Sequence, residues 1–172
     1  MVLMASSRHE VGTKSYPWLV YILAPLLAVG LQSLLSLHFG FVDLIDLPLL
    51  VTIYYAIAKR EPISATIVGA AIGISQDALT HHPLGIFGIS KALIGYMAAS
   101  LGVRVDTENH GTRLLLTFAF TLGQAGVLYV LVRNMLGEPY AWHGMRELTA
   151  AAINALVGVI LFALLDLTEQ QE

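Results

Sequence analysis

Residues 114–132 run for 19 positions without a charged side chain, and residues 15–42 form a second uncharged stretch that is longer still. Such runs limit the fold more than any other feature of this sequence. Each is close to or above the ~20 apolar residues that carry a helix across the ~30 Å hydrocarbon core of a bilayer. Lipid offers no hydrogen bonds, so a spanning segment must satisfy its own backbone, which a helix does and a lone strand or open loop does not. The remaining sequence agrees: of 172 residues 56% are hydrophobic and 12% charged, against about 25% charged in typical soluble domains, and mean hydropathy is +0.73. The expectation is an all-α, polytopic membrane helix bundle with five to six transmembrane helices, six being preferred.

Taken in order, residues 1–14 are polar, with Arg8, His9, Glu10 and Lys14, and read as a cytoplasmic N-terminus. The first span lies within residues 15–42, too long for the ~7–15-residue apolar region of a secretory signal, with Tyr16, Trp18 and Tyr21 as interfacial aromatics. Asp46 and Pro48 predict the start of a short second span over 47–58, because an Asp at the N-cap accepts orphan amide protons and a Pro in the first turn lacks only a donor that is not needed. The charged turn Lys59-Arg60-Glu61-Pro62 leads to a third span over 64–79, and a fourth covers 84–103. Spans at 114–132 and 148–165 follow, separated by a loop carrying Gly137, Pro139, Tyr140 and Trp142. Residues 15–166 thus read as one integral-membrane domain and 167–172 as a short cytoplasmic tail. With six spans, Arg8, Lys14, Lys59, Arg60, Arg104 and Arg113 fall on one side and only Arg133 and Arg146 on the other, so the positive-inside rule places both termini in the cytoplasm.

Two ionisable residues interrupt the third and fourth spans, Asp77 and Lys91, on either side of the turn His81-His82-Pro83-Leu84-Gly85. Desolvating such groups is costly, so they face a protein interior or a water-filled cavity. Along the axis they differ by only ~6 Å at 1.5 Å per residue, which a Lys stem can bridge. A pair there either fixes helix register or marks a site for a ligand, a proton or a partner. Gln32, Gln76, Gln124 and Asn154 place amides on four spans, as cavity lining or as interhelical hydrogen bonds. Small residues recur at helical spacing on both arms of the hairpin: Ala65, Gly69 and Gly73 leading to Asp77 on the third span, and Gly88, Ala92, Gly95, Ala99 and Gly102 on the fourth. Such stripes let backbones approach, and they predict a close antiparallel hairpin at the structural centre.

Other chemistries find little support. The sequence has no Cys, which removes disulfides, thiolate metal sites and Cys nucleophiles. Nine Lys and Arg in a chain of net charge −3 make no phosphate-tracking patch, which argues against nucleic acid as a partner. His38, His81, His82 and His143 gather on the predicted outer side with Asp43 and Asp46, but no His-x-x-x-His spacing occurs and polar loop residues are the simpler reading, so no metal or cofactor is expected. No nucleophile elbow, zinc-protease motif or phosphate loop is present, and Ser90 beside Lys91 points about 100° away from it on a helix, so no catalytic residue is assigned.

The central residues resemble a known family. Leu47-Pro48-Leu49-Leu50 opening a short span that closes at Lys59-Arg60-Glu61-Pro62, the run from Gly69 through Gly73 and Gln76-Asp77 to Leu79, the turn Pro83-Leu84-Gly85, and Gly95-Tyr96 are similar to the rod shape-determining protein MreD family. The resemblance covers nearly the whole chain and is most specific at the hairpin. It implies a non-enzymatic inner-membrane component of the bacterial cell-elongation machinery, working with MreC, the MreB filament, RodA and a penicillin-binding transpeptidase, and surrounded by membrane lipid. Asp77, Pro83, Leu84 and Gly85 match the family's hairpin motif. The small six-span layout also resembles the substrate-binding membrane subunits of energy-coupling factor vitamin transporters, in which Asp77, Lys91 and the Gln and Asn set would line a pocket.

Overall fold

A computed structural model describes residues 18–38, 40–80, 83–107, 109–137 and 142–167. Among these, six α-helices and no strand are present: α1 (Trp18–His38), α2 (Leu47–Lys59), α3 (Pro62–Thr80), α4 (Ile86–Gly102), α5 (His110–Leu131) and α6 (Gly144–Asp166). A 3₁₀ turn, Gly40–Leu44, precedes α2, and one π-helical turn, Val132–Leu136, extends α5. By length and composition α3, α5 with its extension and α6 are able to cross a membrane, while α2, α4 and residues 22–38 of α1 are shorter apolar helices. The chain is therefore a helical membrane bundle, with each helix found where the sequence placed a span. Tyr16, His81, His82, Pro139, Tyr140, the N-terminal residues 1–14 and the tail beyond Leu167 lie outside the described residues.

The buried centre is α2. Every residue from Pro48 to Ala58 is buried, and α2 touches each of the other five helices. A helix that is apolar on all sides has no face to offer water and is covered by protein or by lipid; here protein covers it. The hairpin of α3 and α4, expected to form the centre, instead packs against this short helix as its closest-knit neighbour. At 13 residues α2 is only ~20 Å long, well short of the ~30 Å hydrocarbon core. One of its ends must therefore lie at a depth where protein groups satisfy the backbone.

The expected hairpin seam is present. A Cβ on Gly69 would overlap the carbonyl of Lys91, one on Gly73 the carbonyl of Phe87, and one on Gly95 would stand 2.5 Å from the carbonyl oxygen of Ala65. Those neighbours are backbone atoms that cannot swing aside, so α3 and α4 touch main chain to main chain. Gly102 belongs to a different contact, facing Ile57 of α2, while Ala99 is fully buried and Ala92 only partly so.

The two ends of α2 are closed differently. At its start Asp46 is the N-cap, its carboxylate accepting from Leu49 N at 2.9 Å, with Pro48 in the first turn as the sequence predicts. At its end Arg60 adopts a left-handed conformation (φ 56°), its N–H donates to Ala56 O at 3.0 Å, and Pro62 opens α3.

Candidate functional site

The N-terminal end of α2 is where the polar residues of the bundle meet. Asp46 Oδ2 accepts from Lys91 Nζ of α4 at 2.8 Å and from Gln124 Nε2 of α5 at 2.6 Å. Asp46 N donates to Asn154 Oδ1 of α6 at 2.9 Å, and Asn154 Nδ2 donates in turn to Leu44 O and Ala150 O, both at 2.8 Å. From α1, Gln32 Nε2 donates to Ile45 O at 2.8 Å while its Oε1 accepts from Leu47 N at 3.2 Å. Side chains of α1 and α6 thus hold the irregular backbone of residues 44–47, and those of α4 and α5 hold the Asp46 carboxylate that caps α2. This is the arrangement that non-helical backbone within a membrane protein requires. Lys91 is wholly buried, its ammonium 4.8 Å from the centroid of the Phe87 ring, so Asp46 neutralises a charge that water does not reach.

Asp77 does different work, and the direct pair expected between it and Lys91 does not form. Its carboxylate accepts from Gly85 N at 2.8 Å, Phe87 N at 3.2 Å and Gly88 N at 3.3 Å. Those are the orphan amides at the start of α4, where the capping residue Gly85 (φ 102°) has no side chain of its own to offer. A carboxylate there also meets the positive end of the helix dipole. Axial spacing made the pair look reachable, but it carried no information about direction around the helix: Asp77 faces the turn, and Lys91 faces α2.

Gln76, one position before Asp77, is 6% exposed and lines a cavity of about 810 Å³ beside the hub, together with Asp46, Gln124 and Asn154. His38 and His143 are exposed, and no group of three His, Asp or Glu able to hold a metal comes together among the described residues.

The rod shape-determining protein MreD family matches residues 13–167. The chain belongs to the MreD family. No curated protein and no solved structure matches it. Of the two resemblances in the sequence, the family match is to MreD, whose members are shape-determining structural components. The MreD-like residues have identifiable jobs here. Pro48 stands in the first turn of the buried helix, Gly69 and Gly73 form the seam, Asp77 caps α4, and Gly85 makes the turn that brings α4's amides to Asp77.

A second polar cluster, at the opposite end of the bundle, was not expected. Arg113 near the start of α5 donates from Nε to Thr107 O at 2.6 Å and from Nη1 to Asp166 Oδ2 at 2.5 Å, and Tyr54 Oη of α2 donates to Asp166 Oδ1 at 2.9 Å. The Arg113 guanidinium lies 6.0 Å from the Phe162 ring centroid. The sequence places Arg113 among the charges of the cytoplasmic side and Asp166 at the end of the membrane domain, and pairs neither. The signal that both join the bundle is their position, one in the first turn of α5 and one in the last turn of its antiparallel neighbour α6.

Proposed function

We propose that this chain is a non-enzymatic, multi-pass scaffold of the bacterial inner membrane that couples MreC and the MreB filament to peptidoglycan synthesis by RodA and its penicillin-binding transpeptidase. The observation that carries this reading is the MreD-family match over residues 13–167. The hub supports a structural role: Lys91, Asp46, Gln124 and Asn154 are engaged with one another and with backbone, an arrangement suited to holding helices in place rather than to attacking a substrate. Support for cytoplasmic termini comes from Lys59, Arg60, Arg104 and Arg113, which flank the same ends of α2, α3, α4 and α5, while Arg133 and Arg146 lie toward the other.

Depletion in the native host, followed by microscopy, tests the function. Rods should swell and round up; rods of unchanged shape would overturn the reading. Topology has an independent check, because the sequence contains no Cys and one introduced near the C-terminus reports unambiguously. Labelling of that thiol by an impermeant reagent from outside would overturn the cytoplasmic assignment.

A further inference from the structure

The cavity beside the hub, about 810 Å³, falls within the ~300–1,000 Å³ range of small-molecule sites. Glu147, in the first turn of α6, and Asn154, ~10 Å further along that helix at 1.5 Å per residue, both line it. It therefore runs from the hub toward the end of the bundle. Four side-chain amides line it, and three are engaged at both ends: Gln32 with the backbone of Ile45 and Leu47, Gln124 with Asp46 and Lys91, and Asn154 with the backbone of Leu44 and Asp46. Gln76 is the fourth. It is more than nine-tenths buried and its Oε1 is enclosed by protein, so the end that opens on the cavity is the N–H2 group, which has no acceptor among the described residues.

An N–H2 group can only donate, so what completes it must bring an acceptor. Asp43 and Glu147 place carboxylates on the lining against one described cation, Arg146, so an anionic acceptor meets repulsion where a neutral carbonyl does not. Leu79, Ile86, Phe87 and Leu128 make the rest of the wall apolar. Gln76 also lies one turn in from the end of α3, ~6 Å, which is the shallow part of the hydrocarbon core rather than its centre. We propose that this cavity binds an acyl ester amphiphile, whose neutral carbonyl accepts from Gln76 Nε2 and whose chain lies along Leu79, Ile86, Phe87 and Leu128. The inference stands apart from the role in cell elongation. Two sources share the chemistry, the ester of a two-chain glycerophospholipid and a free single-chain ester.

Native mass spectrometry of the full chain in detergent tests this, with diacyl phosphatidylcholine and its dialkyl ether counterpart added in equal amounts, because the two lipids differ only in the ester carbonyls. Wild type should retain the ester lipid about fivefold over the ether, the effect of roughly one neutral hydrogen bond, and Gln76→Leu should abolish that preference. Leu128→Trp, which fills the cavity without removing a polar group, should abolish it too, and melting temperatures check that both variants fold. Glycerol monolaurate and its dodecyl ether counterpart form the second arm, with one chain and no phosphate. An ester preference in this arm alone, again lost in Gln76→Leu, assigns the site to a free single-chain ester. Equal retention of ester and ether by wild type in both arms, or an ester preference that survives Gln76→Leu, would overturn the proposal.

Discussion

The two polar clusters of this bundle use the same kind of bond in different surroundings. At the start of α2, Lys91 and Asp46 pair where the ammonium is 0% exposed and four helices supply the partners. At the other end Arg113 and Asp166 pair where the carboxylate side chain remains 26% exposed. Removing one partner of a buried pair leaves an uncompensated charge that cannot rehydrate, whereas at the edge of the bundle water takes up part of the loss. The first cluster should therefore behave as a fastening without which α2 cannot be seated, and the second as a latch that adjusts stability.

The largest effect is expected from Asp46→Ala, which strands Lys91 and also removes the N-cap of α2. A loss of about 3–5 kcal/mol from the charge, with about 1 kcal/mol from the cap, should leave little folded protein. Asp46→Asn with Lys91→Met removes both charges and keeps a capping oxygen, so its melting temperature should lie well above that of Asp46→Ala. A double variant no better than the single one would mean that the hub does not act through its charges.

Gly69→Ala comes next and asks whether the hub depends on the seam. Its Cβ would run into the main chain of Lys91 itself, so relief requires moving α4 and with it the ammonium. Overpacking of this kind costs about 1–3 kcal/mol. Gly30→Ala is the matched control, with open space around its Cβ, and should leave the melting temperature unchanged or raise it.

Much of this was legible in the sequence, for physical reasons that also mark where legibility stops. Uncharged runs located the helices, four-residue spacing of Gly69, Gly73 and Asp77 located the seam, and Asp46 with Pro48 located the start of α2. These signals are local or periodic, so one segment carries each of them. The partner of Lys91 was not of that kind: Asp46 is 45 residues away on another element and had already been explained as a cap. Nor did the sequence reveal that the shortest helix is the most buried, because an apolar surface suits lipid and protein alike and does not say which of them covers α2.

Breaking the edge pair should matter less than either change at the hub. Asp166→Asn keeps an oxygen for hydrogen bonding and loses the charge opposite Arg113. The expected cost is about 1–2 kcal/mol, low in the range for charged hydrogen bonds because the carboxylate keeps some contact with water. Salt sharpens the contrast: added salt should narrow the gap between wild type and Asp166→Asn and leave the deficit of Asp46→Ala untouched, since screening reaches the exposed pair and not the buried one. Equal salt responses would erase the distinction between latch and fastening.

The smallest effect is expected at Asp77, although it is as buried as Lys91. Asp77 Oδ2 serves Gly85 and Gly88, and Oδ1 serves Phe87 alone. Asn can place its one carbonyl oxygen at the first position, loses the bond to Phe87 and the favourable charge at the start of α4, and turns its own N–H2 toward the Phe87 N–H. That predicts a loss of about 1 kcal/mol for Asp77→Asn, read as a small drop in melting temperature. Exchanging Asp77 and Lys91 should rescue nothing, because each residue answers to a different partner. A loss for Asp77→Asn as large as that of Asp46→Ala, or a rescue by the exchange, would place Asp77 within the charged hub and reduce two separate devices to one.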